Sequence, residues 1–264
     1  MSTAAQPRRV AFPPNWPVRI GLAALALYAV YAAQILDITW ARFVVGLDNG
    51  AKFLDRMFPP NVAADKLQLL YTGMAESLQI AVLATVIGVL LSVPLGLAAA
   101  RNLAPAPIAW TARILIALFR TFHPVIVAIL FVKAVGFGAL AGMLALIFAS
   151  MGFLSKLLAE AVEEMSMKQV EAVRATGSPF LSVLVMGVMP QVMPRFIGYC
   201  AYQLDSNLRN SALVGLVGGG GIGATLFTAF QRFDYDFVLT IVLTIIAAVM
   251  VGEVISGLMR RMFQ

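Results

Sequence analysis

One cysteine, one histidine and few charges set the first limits on this 264-residue chain. The lone Cys200 excludes an intramolecular disulfide framework and reads as a buried, inert thiol. One histidine and one cysteine build no metal cluster without several carboxylates beside them, and none converge in the sequence. His123 lies within a hydrophobic stretch, so no Ser-His-Asp arrangement can be argued. Charged residues make up 12% of the chain, against about 25% in ordinary soluble domains, which excludes a soluble globular fold. Alternation at period two is missing, and an outer-membrane barrel with it. The glycine run at 218–223 is not followed by Lys-Ser or Lys-Thr, so it is no phosphate-binding loop. No small-residue cleavage site follows the first apolar run, where Gln34-Ile35-Leu36-Asp37 stands; that run is expected to remain as an anchor. The net charge of +6 calls for no nucleic-acid partner, because basic cytoplasmic loops are the default in membrane proteins.

What is abundant is hydrocarbon: 61% of residues are hydrophobic and the mean hydropathy is +0.89. Runs free of Asp, Glu, Lys and Arg extend over Ile20–Leu36, Ser77–Ala100, Ala134–Ser155, Asn210–Gln231 and Phe237–Gly252. A bilayer core of about 30 Å takes roughly 20 helical residues, so the pattern predicts an all-α, polytopic membrane protein with about six spans. The expected order begins with a Pro-rich cytoplasmic tail at 1–17 and a first span at 18–36. An external segment follows to residue 72, carrying an interfacial amphipathic helix over Trp40–Phe58. Residues 73–264 form the core, with spans at 75–100, 108–135, 139–160, 190–214 and 236–258. The 108–135 span is expected to kink at Pro124. The loop 161–187 reads as two short helices broken at Gly177-Ser178-Pro179.

Basic residues predict cytoplasmic N- and C-termini, which places the loop 161–187 inside. That loop carries Glu171-Ala172-Val173-Arg174-Ala175-Thr176-Gly177, a charged, helix-forming island between spans, followed by Pro190. Glu171 and Arg174 offer charge to a groove on a partner, Ala172 and Ala175 permit close approach, and Gly177 allows the chain to turn. The string resembles the EAA loop of binding-protein-dependent ABC importer permeases, of the type I, MetI-like fold. It departs from the widest pattern at Val173, Gly187 and Met189.

Within that superfamily the chain resembles the phosphonate-importer permeases of the PhnE type over about residues 70–262. The likeness rests on Ala99-Ala100-Arg101-Asn102, Gly152-Phe153-Leu154, Pro190-Gln191-Val192, Asn207-Leu208-Arg209 and Gly215-Leu216-Val217-Gly218 with Gly220-Gly221-Ile222-Gly223. It is closer than the likeness to methionine permeases. The resemblance implies a multi-pass inner-membrane permease subunit that binds no cofactor and has no catalytic site of its own. It further implies a second permease chain, identical or paralogous, two cytoplasmic ATPase subunits holding ATP and Mg²⁺, and an extracytoplasmic solute-binding protein, all within membrane lipid. The implied cargo is phosphonate or a related phosphorus oxyanion.

Charge inside hydrocarbon costs about 2.5–3.5 kcal/mol on insertion scales and demands a reason. Arg120 and His123 fall in the third span; Asp205, Asn207, Arg209 and Asn210 fall in the fifth. These six are candidates for the translocation path. Asp205 and Arg209, four apart, equally suit a self-satisfied pair that locks the bundle. His123 equally suits a structural hydrogen bond at the proline. Gly218, Gly219, Gly220, Gly221 and Gly223 read as close helix packing or as a flexible external segment where a binding protein docks or solute enters. Two other function classes fit the sequence less well: a lone secondary transporter or anion channel, which leaves the charged inner loop without a purpose, and a membrane enzyme acting on lipid headgroups, which lacks the acidic or histidine cluster it would need.

Overall fold

The computed structural model describes residues 15–37 and 39–263, with side chains to residue 258. The expected tail therefore lies largely outside the described residues. The chain divides after residue 56 into two compact units. The first contains α1 (Trp16–Ile35) and most of α2 (Trp40–Met57). α1 opens on a proline in its first turn and buries none of its residues. α2 is the expected amphipathic helix: Trp40 stacks on Phe43 at 5.3 Å on the apolar side, and Lys52 pairs with Asp48 one turn away at 2.5 Å on the polar side.

The second unit starts with α3 (Ala64–Ala99), which begins 11 residues before the expected span. The run Ala64–Thr72 is rich in Leu, Lys and Gln, all good helix formers, so the helix nucleates outside the apolar stretch and runs about 54 Å at 1.5 Å per residue. Its principal partner is α6 (Ala139–Glu164). Small residues bring the two together: a Cβ on Gly88 would fall 2.6 Å from Ser150 Cβ, and Ala81, Ala84, Ala141 and Ala145 are fully buried. Close backbone approach of this kind drives helix association where lipid is as apolar as leucine.

Between α3 and α6 the expected kinked span is a true break. α4 (Ala106–Thr121) and α5 (Pro124–Val135) meet at 90°. Proline removes a backbone donor and forces its predecessor out of the helical region. Here both Phe122 (ψ 133°) and His123 (ψ 140°) are extended, and the His123 ring nitrogen Nδ1 accepts the N–H of Val125 at 3.4 Å. His123 thus caps α5.

After α6 come α7 (Met167–Ala175) and α8 (Phe180–Val183), the two short helices expected on either side of Gly177–Pro179. α8 does not end in a loop. It passes through one π turn, Leu184–Val188, directly into α9 (Met189–Leu216). The glycine segment that follows is closely packed. Residues 217–220 make a tight reversal, α10 (Gly221–Gln231) takes up Gly221 and Gly223, and α11 (Tyr235–Phe263) completes the unit. Gly220 adopts φ +77°, a conformation costly to any residue with a Cβ. A Cβ on Gly223 would sit 2.0 Å from the carbonyl oxygen of Ala212. Ser77 on α3 accepts the N–H of Ile222 on its Oγ at 2.9 Å. Gly219, Gly220, Gly221 and Gly223 are all buried.

Candidate coupling surface and translocation face

α7 has one buried residue, Val170, at 0% exposure. It joins Val162 of α6, Val183 of α8, Val188 of the π turn and Val192 of α9 in one apolar cluster. Gly187 allows the approach: a Cβ there would lie 3.3 Å from Val170 Cα. With Val170 as its foot, α7 turns the other side outward. Glu171, Ala172, Arg174, Ala175 and Gly177 are all exposed, and Gly177 makes the left-handed turn at φ +72°. Neither the Glu171 nor the Arg174 side chain has a hydrogen-bond or ion-pair partner among the described residues. All five expected coupling residues therefore share an open surface, on a helix anchored to both neighbouring spans.

The base of this surface is held by charge. Glu163 Oε1 accepts from Arg113 Nη2 at 2.6 Å and from the N–H of Arg101 at 2.8 Å, while Arg113 Nε donates to the carbonyl of Ala99 at 2.9 Å. Arg195 pairs with Glu164 at 2.5 Å. These bonds tie α3, α4, α6 and α9 together at the end of the bundle where α7 sits. At the opposite end of α3, Lys66 pairs with Asp234 at 2.5 Å and Asn61 donates to Asp236 at 2.9 Å.

The intramembrane polar residues separate into two groups. Asn207 is completely enclosed: its Nδ2 donates to Thr85 Oγ1 and Ser150 Oγ, both at 2.9 Å, and its Oδ1 accepts from Gln203 at 3.0 Å. Asn207 thus lies in the core of this bundle, where its hydrogen bonds join α3, α6 and α9. Asp205 is also buried, at 9% exposure, with Oδ2 held by Arg209 at 2.9 Å. Arg209 itself is exposed, on a stripe of α9 with Tyr202, Ser206 and Leu213, and half-buried Asn210 adjoins it, donating to Ser206 at 3.3 Å. Arg120 and His123 are exposed at the α4–α5 break. The chain of Arg120 lies along α6 at Gly152, where a Cβ would come within 3.0 Å of its Cγ. No hydrogen bond or ion pair joins Arg120 or His123 to Arg209 among the described residues.

Residues 92–264 match the family model described as the binding-protein-dependent transport system inner membrane component. The chain belongs to this family. A phosphate-import permease protein PhnE of Mycolicibacterium smegmatis is 38% identical over 92% of the chain, although the chain spans only 46% of that protein. The phosphite transport system permease protein PtxC of Stutzerimonas stutzeri is 34% identical over 95% of this chain and 91% of its own length. Among solved structures, a chain of the MetNI methionine ABC transporter in inward-facing form superposes with a TM-score of 0.68 at 20% identity, covering 77% of this chain and all of that one. At that identity the likeness shows the helical fold. As a member of this family the protein is a multi-pass permease component of the inner membrane.

Sequence reasoning located the exposed charged helix α7 and the charged positions of α9 but missed their supports. Gln203, Ser150 and Thr85 escaped because each is an ordinary polar residue in an apolar run. The four-residue spacing of Gln203 and Asn207, which puts both amides on one helix face, was the available signal. Glu163 and Arg113 were not singled out, and Gln191 entered only as part of Pro190-Gln191-Val192.

Proposed function

We propose that this chain is the membrane-spanning permease of an ATP-driven importer for a phosphorus oxyanion such as phosphate, phosphite or phosphonate. The observation that carries the reading is the open outer surface of α7, presenting Glu171, Ala172, Arg174, Ala175 and Gly177, on a helix rooted by Val170 against both α6 and α9. In the assembly two permease chains, identical or paralogous, enclose the passage. Two ATPase subunits bind ATP and Mg²⁺ and grip α7 from the cytoplasm, where both termini also lie. A solute-binding protein delivers the anion from outside. The relatives named for phosphate and phosphite import support the choice of cargo.

Closure of the ATPases displaces α7, and its attachments carry that movement into α6 and α9. The bundle then exchanges between two arrangements as a rigid-body change biased by nucleotide. Arg209, Arg120 and His123, exposed on α9 and at the α4–α5 break, and half-buried Asn210 supply donors and positive charge that ease an anion across without holding it. Asp205 has a supporting part: paired one turn below Arg209, it fixes the guanidinium and offsets its charge in the empty passage.

Proteoliposomes containing the permease, ATPase and binding protein should accumulate a labelled oxyanion only with ATP inside the cytoplasmic compartment. Arg209→Ala combined with Asp205→Asn removes the donor without stranding a buried carboxylate. That double variant should retain assembly and lose most uptake. Full uptake by it would remove Arg209 from the path, and accumulation without any ATPase would favour a lone transporter.

A further inference from the structure

The break between α6 and α7 is held by one side chain from α9. Gln191 Oε1 accepts the backbone N–H of Ser166 at 3.1 Å, and its Nε2 donates to the carbonyl of the same residue at 3.2 Å. Nε2 also donates to the carbonyl of Gly187, inside the π turn, at 2.7 Å. A side-chain amide pairs with a peptide in this reciprocal way because it carries both a donor and an acceptor. Ser166 is the extended residue (ψ 118°) from which α7 starts. Gly187 lies on Val170, the buried foot of α7.

The first turn of α9 has few backbone ties to spare. Pro190 has no N–H, and the N–H of Met189 is drawn back to the carbonyl of Leu184 by the π turn. The other links from α9 to α7 and to the end of α6 lack direction. The valine cluster resists separation but permits sliding, and the Arg195–Glu164 pair is exposed on both sides, where ion pairs contribute little.

We infer that Gln191 is the positioning residue that transmits movement of α7 to α9, its amide clamping the end of α6, the start of α7 and the π turn into one moving body. The inference rests on α7 being the ATPase contact, and it assigns the transmission step to a single group.

The test uses the complete transporter in proteoliposomes, reading solute moved per ATP hydrolysed and stimulation of hydrolysis by loaded binding protein. Gln191→Met keeps the length and loses the amide. Gln191→Glu keeps an acceptor for the Ser166 N–H and loses both donated bonds. Both variants should capture the ATPase at the wild-type ratio and keep basal hydrolysis. Solute moved per ATP should fall roughly tenfold or more, the bias that three ordinary hydrogen bonds exert on a two-state equilibrium. An unchanged ratio in both variants would overturn the inference. So would parallel loss of uptake and hydrolysis with release of the ATPase, which marks a merely structural role. If the wild-type complex captures no ATPase, the reading of α7 itself fails, before any Gln191 variant is compared.

Discussion

Asn207 and Arg209 stand two residues apart on α9 and face opposite fates, one sealed among Thr85, Ser150 and Gln203, the other exposed. Helical periodicity separates them by about 200°, which the sequence states; which of the two directions is the core depends on the faces of α3 and α6, which it does not. The same limit hid Gln203 and Ser150. A buried amide that satisfies three neighbours stabilises the helix junction, and its loss leaves those neighbours short of partners. Asn207→Leu should therefore lower stability by about 1–2 kcal/mol, read as a lower thermal midpoint of the purified complex, while uptake per folded transporter stays near wild type. Lost uptake at unchanged stability would return Asn207 to the passage.

At the scale of elements, the long apolar runs marked out the helices well, because burial in hydrocarbon leaves the backbone few options besides helix. The boundaries that moved have local causes. α3 starts early because Ala64–Thr72 is intrinsically helical. The third span breaks because two extended residues precede Pro124. The glycines after α9 pack closely, since the space that a Cβ at Gly223 of α10 would need is taken by Ala212 and Gly215 of α9, across the reversal. Gly223→Leu should thus destabilise the unit by about 1–3 kcal/mol or more through overpacking, visible as reduced yield and midpoint of the purified protein. A variant as stable as wild type would mean that the reversal at 217–220 yields easily, as a flexible segment does.

For the whole molecule, polar groups gather at the two ends of α3. Arg101, Arg113, Glu163, Glu164 and Arg195 brace the end that bears α7; Asn61, Lys66, Asp234 and Asp236 brace the other. α7 was legible because an exposed charged helix between apolar spans has no folding reason to be there. Its anchoring was not legible, because Val170, Gly187 and Gln191 acquire meaning only through contacts made across the π turn. The central claim is that the uncovered side of α7 receives a separate ATPase. Co-expression of the tagged permease with its ATPase, followed by quantitative capture from detergent, addresses it directly. Wild type should retain the ATPase, and Glu171→Arg and Gly177→Asp should each release it while the permease remains folded. ATPase retained in full by both variants, or absent from wild type, would contradict the account.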